Sequence, residues 1–226
     1  MPFFTDDAFK DFVTQFKSRD FDGWEQYVQI SDFTVYRKRS DRNAHLFQYR
    51  AVGGWSNVHP ATLAHVYLDL AFRKKWDKNM LSYHTTTQEV QSGYTGYQFE
   101  MKYPWPLSNR DYAYAMETKM VQDGAGNTYQ VILGESLEGF PEGKKGVIRI
   151  DTYMQNICIT ADGENGCTVF MDYFDDPKGS IPKSVINWAA KTGIPTFIEN
   201  LRSACVQYDR ENPTKSQLDD IETLFI

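Results

Sequence analysis

The stretch Tyr97–Met116, with the sequence YQFEMKYPWPLSNRDYAYAM, decides the fold of this chain. Before the two prolines, apolar and polar residues alternate, which is typical of a β-strand with one buried face. Pro104 and Pro106 interrupt this strand, because proline has no N–H group to donate to a neighbouring strand. The alternation resumes after Arg110. The stretch therefore predicts two antiparallel strands, joined by a stiff loop, that bring a row of large side chains to a common surface: Tyr97, Phe99, Met101, Tyr103, Tyr112, Tyr114 and Met116.

Length and composition indicate an ordinary globular protein. The chain has 226 residues, enough for one large domain or two small ones, and is 41% hydrophobic and 24% charged. Its net charge of −6 does not favour a nucleic-acid partner, because nucleic-acid binding depends on positive charge.

The lack of a recognisable targeting signal and the pattern of the cysteines predict a cytoplasmic location. The residues Met1–Asp7 show neither a basic nor an apolar signal segment, and the chain has no run of about 18 apolar residues that could span a membrane. Cys158, Cys167 and Cys205 are odd in number and lack the spacing of metal ligands. We therefore expect reduced thiols and no metal.

Hydrophobic periodicity outside the central stretch predicts an α+β protein. It gives a capped helix after Thr5, two strands, a short helical pair from Pro60, about six to seven strands, and a last helix over Ile181–Tyr208. Val147–Ile159 is predicted as one long strand. Gly193 and Pro195 predict a kink or break in the last helix. A run of antiparallel strands followed by one long helix is an α+β arrangement.

Motifs of catalysis are lacking in the sequence, so we expect no enzyme. The four histidines, His45, His59, His65 and His84, do not have metal-ligand spacing. There is no Gly-x-Ser-x-Gly motif and no glycine-rich phosphate loop. Arg110 and Asp111, at the entrance of the second strand, are interpreted as a structural ion pair.

Five strings between Tyr67 and Ala190 resemble the StAR-related lipid-transfer (START) family, in the family's order, and the resemblance extends over about residues 5 to 210. They are YLDLAFRKKWD from Tyr67, KYPWPLSNRDY from Lys102, GVIRI from Gly146, VFMDYF from Val169 and INWAA from Ile186. The resemblance implies a helix-grip fold, in which a curved antiparallel β-sheet wraps around a long C-terminal helix with an internal lipid tunnel. It also implies a single lipid-binding domain over residues 1–210, followed by a polar C-terminal tail over residues 211–226.

The resemblance is strongest to the phosphatidylcholine-binding members of the family, and it implies a head-group site. Arg73 stands at the position of an arginine that meets the lipid phosphate, and Asp77 at the position of the acid that pairs with it. The resemblance implies that the aromatic cage for choline is formed by Phe99, Tyr112, Tyr153 and Tyr173. It implies two further head-group neighbours, Tyr67 and Gln155. The family pattern has a tryptophan where this chain has Phe99.

The resemblance thus implies a carrier that moves one phospholipid, phosphatidylcholine, between membranes. The expected ligand is the bound phospholipid, with no cofactor, and the expected partners are a transient membrane surface and no nucleic acid; the chain is expected to be a monomer. Two alternatives stay open: a lipid-sensing adaptor that acts through a protein partner, and a carrier of phosphatidylethanolamine, a sterol or ceramide.

Overall fold

A computed structural model describes residues 2–90, 94–140, 143–212 and 223–226. The helices are α1 (Asp6–Ser18), α2 (Pro60–Leu68), α3 (Leu70–Trp76), α4 (Lys183–Trp188) and α5 (Ile194–Glu211), with a π-helical turn at Ala189–Gly193 between α4 and α5. The strands are β1 (Glu25–Ile30), β2 (Phe33–Arg39), β3 (Phe47–Trp55), β4 (Met80–Val90), β5 (Tyr94–Met101), β6 (Arg110–Gln122), β7 (Thr128–Ser136), β8 (Ile148–Ile150), β9 (Tyr153–Asp162), β10 (Gly166–Asp175) and β11 (Thr223–Phe225).

The strands form one sheet in the order β1-β2-β3-β10-β9-β7-β6-β5-β4. All neighbours along this path are antiparallel. The short strands β8 and β11 pair with β6 in parallel. This open antiparallel sheet with a long C-terminal helix confirms the predicted α+β, helix-grip class.

Helix α1 covers one face of the sheet. Its apolar residues repeat at helical spacing, so that they form one buried side of the helix. They pack on strand residues of the outer face of the sheet in one cluster, which contains Phe9, Phe12, Val13, Phe16, Val121, Val131, Leu133, Cys158 and Phe170. Thr5 caps the helix by accepting a hydrogen bond from the Ala8 N–H.

Helices α2, α3 and α5 lie on the other face, which we call the inner face. The C-terminal half of α5 is firmly held there: Leu201, Ala204, Cys205 and Tyr208 are buried in a cluster with residues of α2 and of the sheet. The predicted interruption of the last helix is present, because the π-helical turn separates α4 from α5. Helix α4 itself has no buried residue.

The predicted hairpin of the central stretch is confirmed, since β5 and β6 are antiparallel with Phe99 opposite Tyr112. The predicted ion pair between Arg110 and Asp111 is wrong. Neighbouring residues of a strand point to opposite faces, and Asp111 instead pairs with Arg149 at 2.8 Å. The Arg110 guanidinium donates to the carbonyl oxygens of Ser108, Pro177 and Lys178, which ties the loop between β5 and β6 to the chain after β10.

Two further predictions about strands were wrong. Three strands, not two, precede α2, because β1 was missed; its register shifts between Gln26 and Val28, which breaks the alternation in the sequence. The stretch Val147–Ile159 is two strands, because the chain leaves the sheet at residues 151 and 152. The first part pairs with β6 and the second with β7 and β10.

Candidate functional site

The strand register brings the central aromatic residues together on the inner face. Residues two apart along a strand share a face, and residues paired across strands share it too. Tyr112 lies opposite Phe99. Further along β6, a row of paired residues crosses four strands from β6 to β10, and it consists of Met116, Gly134, Gln155 and Tyr173. Tyr153 is two residues before Gln155, so it projects from the same face.

The rings of these residues contact one another directly. Phe99 and Tyr112 are stacked, with centroids 4.9 Å apart. Tyr153 meets Tyr112 edge to face at 5.3 Å and Tyr173 at 5.9 Å. Tyr114 joins the group, 5.4 Å from both Phe99 and Tyr153. The result is one continuous aromatic surface, to which we refer as the aromatic cluster: Phe99, Tyr112, Tyr114, Tyr153 and Tyr173.

Burial keeps the hydroxyl groups of this cluster neutral. It raises the pKa values of Tyr112, Tyr153 and Tyr173 well above the ordinary value for tyrosine. The phenols therefore remain donors of hydrogen bonds at neutral pH, and their rings keep the negative faces that attract cations.

Gln155 connects the cluster to α2. Its Oε1 accepts hydrogen bonds from the hydroxyl groups of Tyr67 and, at 2.7 Å, of Tyr153. Its Nε2 donates to the sulfur atom of Met171 at 3.2 Å. The amide thus fixes two tyrosine side chains from different elements relative to each other.

Arg73 lies beside the cluster on α3 and is only 8% exposed. Its Nε donates to the carboxylate of Asp77 at 3.2 Å, one turn further along the chain, as the spacing of four predicts. The guanidinium carbon lies 5.5 to 5.7 Å from the ring centroids of Tyr67, Phe99 and Phe197. A single side chain thus brings a positive charge to the cluster, with N–H donors beyond the one that Asp77 accepts.

Asp175 is a member of this site that the sequence analysis missed. Its carboxylate accepts a hydrogen bond from the Tyr112 hydroxyl at 2.8 Å, and it lies opposite Tyr153 in the sheet. Burial raises the pKa of Asp175, and the hydrogen bonds from Tyr112 and Tyr173 partly offset this effect. The alternation could have revealed it, because a residue two positions after Tyr173 shares its face.

Large apolar side chains on the inner face keep accessible surface although they lie between the sheet and the helices. These side chains are only half-buried, whereas the four apolar side chains that α1 places against the sheet, Phe9, Phe12, Val13 and Phe16, are buried. The half-buried side chains of the inner face are Tyr49, Met116, Met171, Tyr173, Ile194, Phe197 and Ile198. Closely packed interiors leave little such surface. The N-terminal half of α5 is therefore not packed tightly onto the sheet.

The structure thus brings together all eight residues that the sequence analysis singled out: Arg73, Asp77, Tyr67, Phe99, Tyr112, Tyr153, Gln155 and Tyr173. They come from α2, from α3 with its C-cap residue Asp77, and from four strands, and they surround one region of the inner face. Within the described ranges, no group of three or more His, Cys, Asp or Glu side chains is placed to hold a metal ion. No helix in these ranges is long and apolar enough to cross a membrane.

Comparison with known proteins defines the class of this protein. The sequence profile of the START domain matches residues 6–212, and the chain belongs to the START domain family. It is 38% identical over 212 residues to the phosphatidylcholine transfer protein of Rattus norvegicus, which covers 92% of this chain and 96% of that protein. It is 41% identical over 189 residues to the phosphatidylcholine transfer protein of Bos taurus, with 83% and 86% covered.

A solved structure shows the same fold. The crystal structure of human STARD10 superposes with a TM-score of 0.72 at 19% identity and covers 100% of this chain and 93% of that chain. The family identified from sequence motifs is therefore confirmed by the sequence comparisons, and the structural comparison confirms the fold.

Proposed function

We propose that this protein is a lipid carrier that encloses one phosphatidylcholine molecule between the inner face of the sheet and α5 and moves it between membranes. The observation that carries the proposal is the placement of Arg73 beside the aromatic cluster. The N-terminal half of α5 lies over this region and has half-buried apolar side chains. Relatives named phosphatidylcholine transfer proteins support the choice of lipid.

The acyl chains account for retention of the lipid but not for its selection. Exposing on the order of 30 acyl carbons to water would cost more than ~20 kcal/mol at about 0.8 kcal/mol per methylene group. Because a bilayer buries the same chains equally well, this term nearly cancels when a lipid passes from a membrane into the protein. The head group must therefore decide which lipid is bound.

The aromatic cluster and Arg73 suit the two charges of a phosphocholine group. A quaternary ammonium cannot donate hydrogen bonds, and aromatic faces attract it by ~0.5–2 kcal/mol each. The rings of Tyr112, Tyr153, Tyr173 and Phe99 would provide this attraction. The phosphate needs a cation, and the planar guanidinium of Arg73 matches its oxygen atoms better than a lysine would. Asp77 would balance Arg73 when no phosphate is bound.

The rest of the proposal concerns the working state of the protein. We infer a single lipid-binding domain over residues 1–210 with a polar tail over residues 211–226, whose strand β11 pairs with β6. We also infer that the protein works as a cytoplasmic monomer that contacts membranes only transiently. Lipid transfer requires no covalent step, so the proposal includes no catalysis, no cofactor and no nucleic-acid partner.

The test is to identify the lipid that the purified protein carries. Native mass spectrometry followed by lipid extraction should give one phosphatidylcholine per chain, and labelled phosphatidylcholine should move between vesicles when the protein is added. Recovery of a sterol or ceramide would contradict the proposal. Stoichiometric binding without transfer would favour the lipid-sensing adaptor.

A further inference from the structure

We propose that the carboxylate of Asp175 is the second charged pole of the head-group site and binds the ammonium end of a zwitterionic lipid. This inference rests on the proposed function and adds the residue that would distinguish lipids with a cationic head group from lipids without one.

The position of Asp175 places its carboxylate at the edge of the aromatic cluster. It follows Tyr173 by two residues and lies opposite Tyr153, so it projects from the inner face with both rings. The hydroxyl of Tyr112 donates to its Oδ2 at 2.8 Å, and the hydroxyl of Tyr103 lies 3.0 Å from that of Tyr112. The carboxylate is thus held among phenol groups.

No cation pairs with this carboxylate in the part of the chain that the structure describes. Two cations lie nearby, but both have other partners. The guanidinium of Arg110 donates to three backbone carbonyl groups. The ammonium of Lys178 lies 2.7 Å from Asp151 and 3.4 Å from Asp176. A largely desolvated carboxylate is normally paired with a positive group, because an unpaired one is costly. The ammonium of a bound lipid would be such a partner.

Arg73 and Asp175 contact different members of the stacked pair of rings. The Arg73 guanidinium lies 5.7 Å from the Phe99 ring centroid, whereas Asp175 accepts from the hydroxyl of Tyr112. A positive charge beside one ring and a negative charge bonded to the other match a head group with a phosphate at one end and an ammonium at the other. A lipid with a phosphate but no cation, such as phosphatidylglycerol, would leave Asp175 unpaired.

The experiment compares wild type, Asp175→Asn and Asp176→Asn. Asparagine keeps the shape of the side chain and its acceptor for Tyr112. The control changes net charge equally, one residue further along the chain. Each protein is incubated with vesicles that contain equal amounts of phosphatidylcholine and phosphatidylglycerol, and the bound lipids are counted by mass spectrometry after re-isolation. We expect Asp175→Asn to lower the preference for phosphatidylcholine about tenfold, or about 1.4 kcal/mol, and Asp176→Asn to leave it unchanged.

The outcomes separate this inference from the proposed function. If wild type binds no phospholipid, the proposed function fails and this inference fails with it. If wild type prefers phosphatidylcholine and Asp175→Asn does so equally, only the role of Asp175 is overturned. Asp175→Ser is a second neutral variant in case the first does not fold. Failure of both to fold would assign Asp175 to the fold and would overturn its role in selection.

Discussion

Phe99 lies flat on Tyr112, with ring centroids 4.9 Å apart and ring planes only 10° from parallel. Each ring therefore covers one face of the other, and Phe99 sets the position of the tyrosine whose hydroxyl reaches Asp175. Phe99 thus lies at the centre of the proposed site.

Replacing Phe99 by leucine should lower the preference for phosphatidylcholine over phosphatidylethanolamine. The variant loses a ring that attracts a quaternary ammonium and the stacking that holds Tyr112, and each aromatic contribution is ~0.5–2 kcal/mol. We expect a loss of roughly threefold to tenfold in a competition for mixed vesicles. Phe99→Trp, with the stronger aromatic face, should shift the preference in the opposite direction, and equal behaviour of the two variants would remove Phe99 from the site.

Replacing Arg73 by lysine should reduce phosphatidylcholine transfer about tenfold with the fold kept. Lysine preserves the charge beside Asp77 but cannot offer the paired donors of a guanidinium. The matched control is Lys74→Arg, the reverse exchange at an exposed position on the same helix. Transfer of labelled lipid between vesicles measures the effect.

Arg73→Ala should also lower transfer, and it should destabilise the protein. It leaves the carboxylate of Asp77, which is only 3% exposed, without its cation, and such a loss costs about 3–5 kcal/mol. Transfer by a folded Arg73→Ala variant at the wild-type rate would contradict the assigned role.

Tyr153→Ala combined with Tyr173→Ala should abolish most phosphatidylcholine transfer. These two rings meet edge to face with their centroids 5.9 Å apart, and both belong to the aromatic cluster. Tyr153→Phe separates the ring from the hydroxyl, because it removes only the hydrogen bond to Gln155. We expect this variant to keep most of the transfer rate; an equal loss in both variants would show that the hydroxyl matters and the rings do not.

Trp105 should contribute to contact with the membrane. It is 91% exposed between two prolines in the loop after β5, and interfacial tryptophan favours the boundary between water and lipid. Burying such a side chain is worth on the order of 2 kcal/mol, so Trp105→Ala should reduce vesicle binding about thirtyfold. Phe225→Ala, at a site that is 66% exposed, is the control for loss of an exposed aromatic residue.

Asp123 should make stability depend on pH in the acid range. The Lys17 ammonium donates to it at 2.8 Å and holds the pKa of this carboxyl far below its ordinary value, with help from Asn127 and Tyr129. Its stabilisation is complete above the unfolded value of about 3.9 and is lost as the pH falls toward the folded value. Asp123→Asn should lower the stability to urea at pH 7. It should also make this stability fall less steeply as the pH drops below 4. Asp41→Asn, at an exposed ion pair, should change neither.

The sequence predicted the architecture because its strongest signals were local. The alternation around Tyr112 and the prolines between the strands are properties of neighbouring residues, and they defined a hairpin that the structure confirms. The bulge in β1 removed the alternation by which that strand could be recognised. The break before Tyr153 was hidden because β-forming residues lie on both sides of it, such as Ile150 and Ile157. Only pairing with different strands separates the two parts.

The candidate site could be predicted where family motifs and side-chain type agree, as for Arg73 and Asp77. Asp175 was missed because an aspartate at a strand end usually lies in solvent. The surroundings of Asp175 depend on residues that are distant in sequence. The hydroxyl of Tyr112, on another strand, donates to Asp175, and backbone carbonyl groups bind the neighbouring cation, Arg110. Such facts are not encoded in any short stretch of sequence.

The two ends of the last helical segment differ in how firmly they are held. Toward the C-terminus, Cys205 and Tyr208 are buried, and β11 later adds a strand beside β6. Toward the N-terminus, α4 has no buried residue and joins α5 through the π-helical turn. Separation of α4 from the body would expose little apolar surface to water, whereas separation of the other end would disrupt the main core. We therefore expect a lipid to enter at the α4 end, and crosslinking α4 to β1 should prevent release of a bound lipid without altering the head-group site.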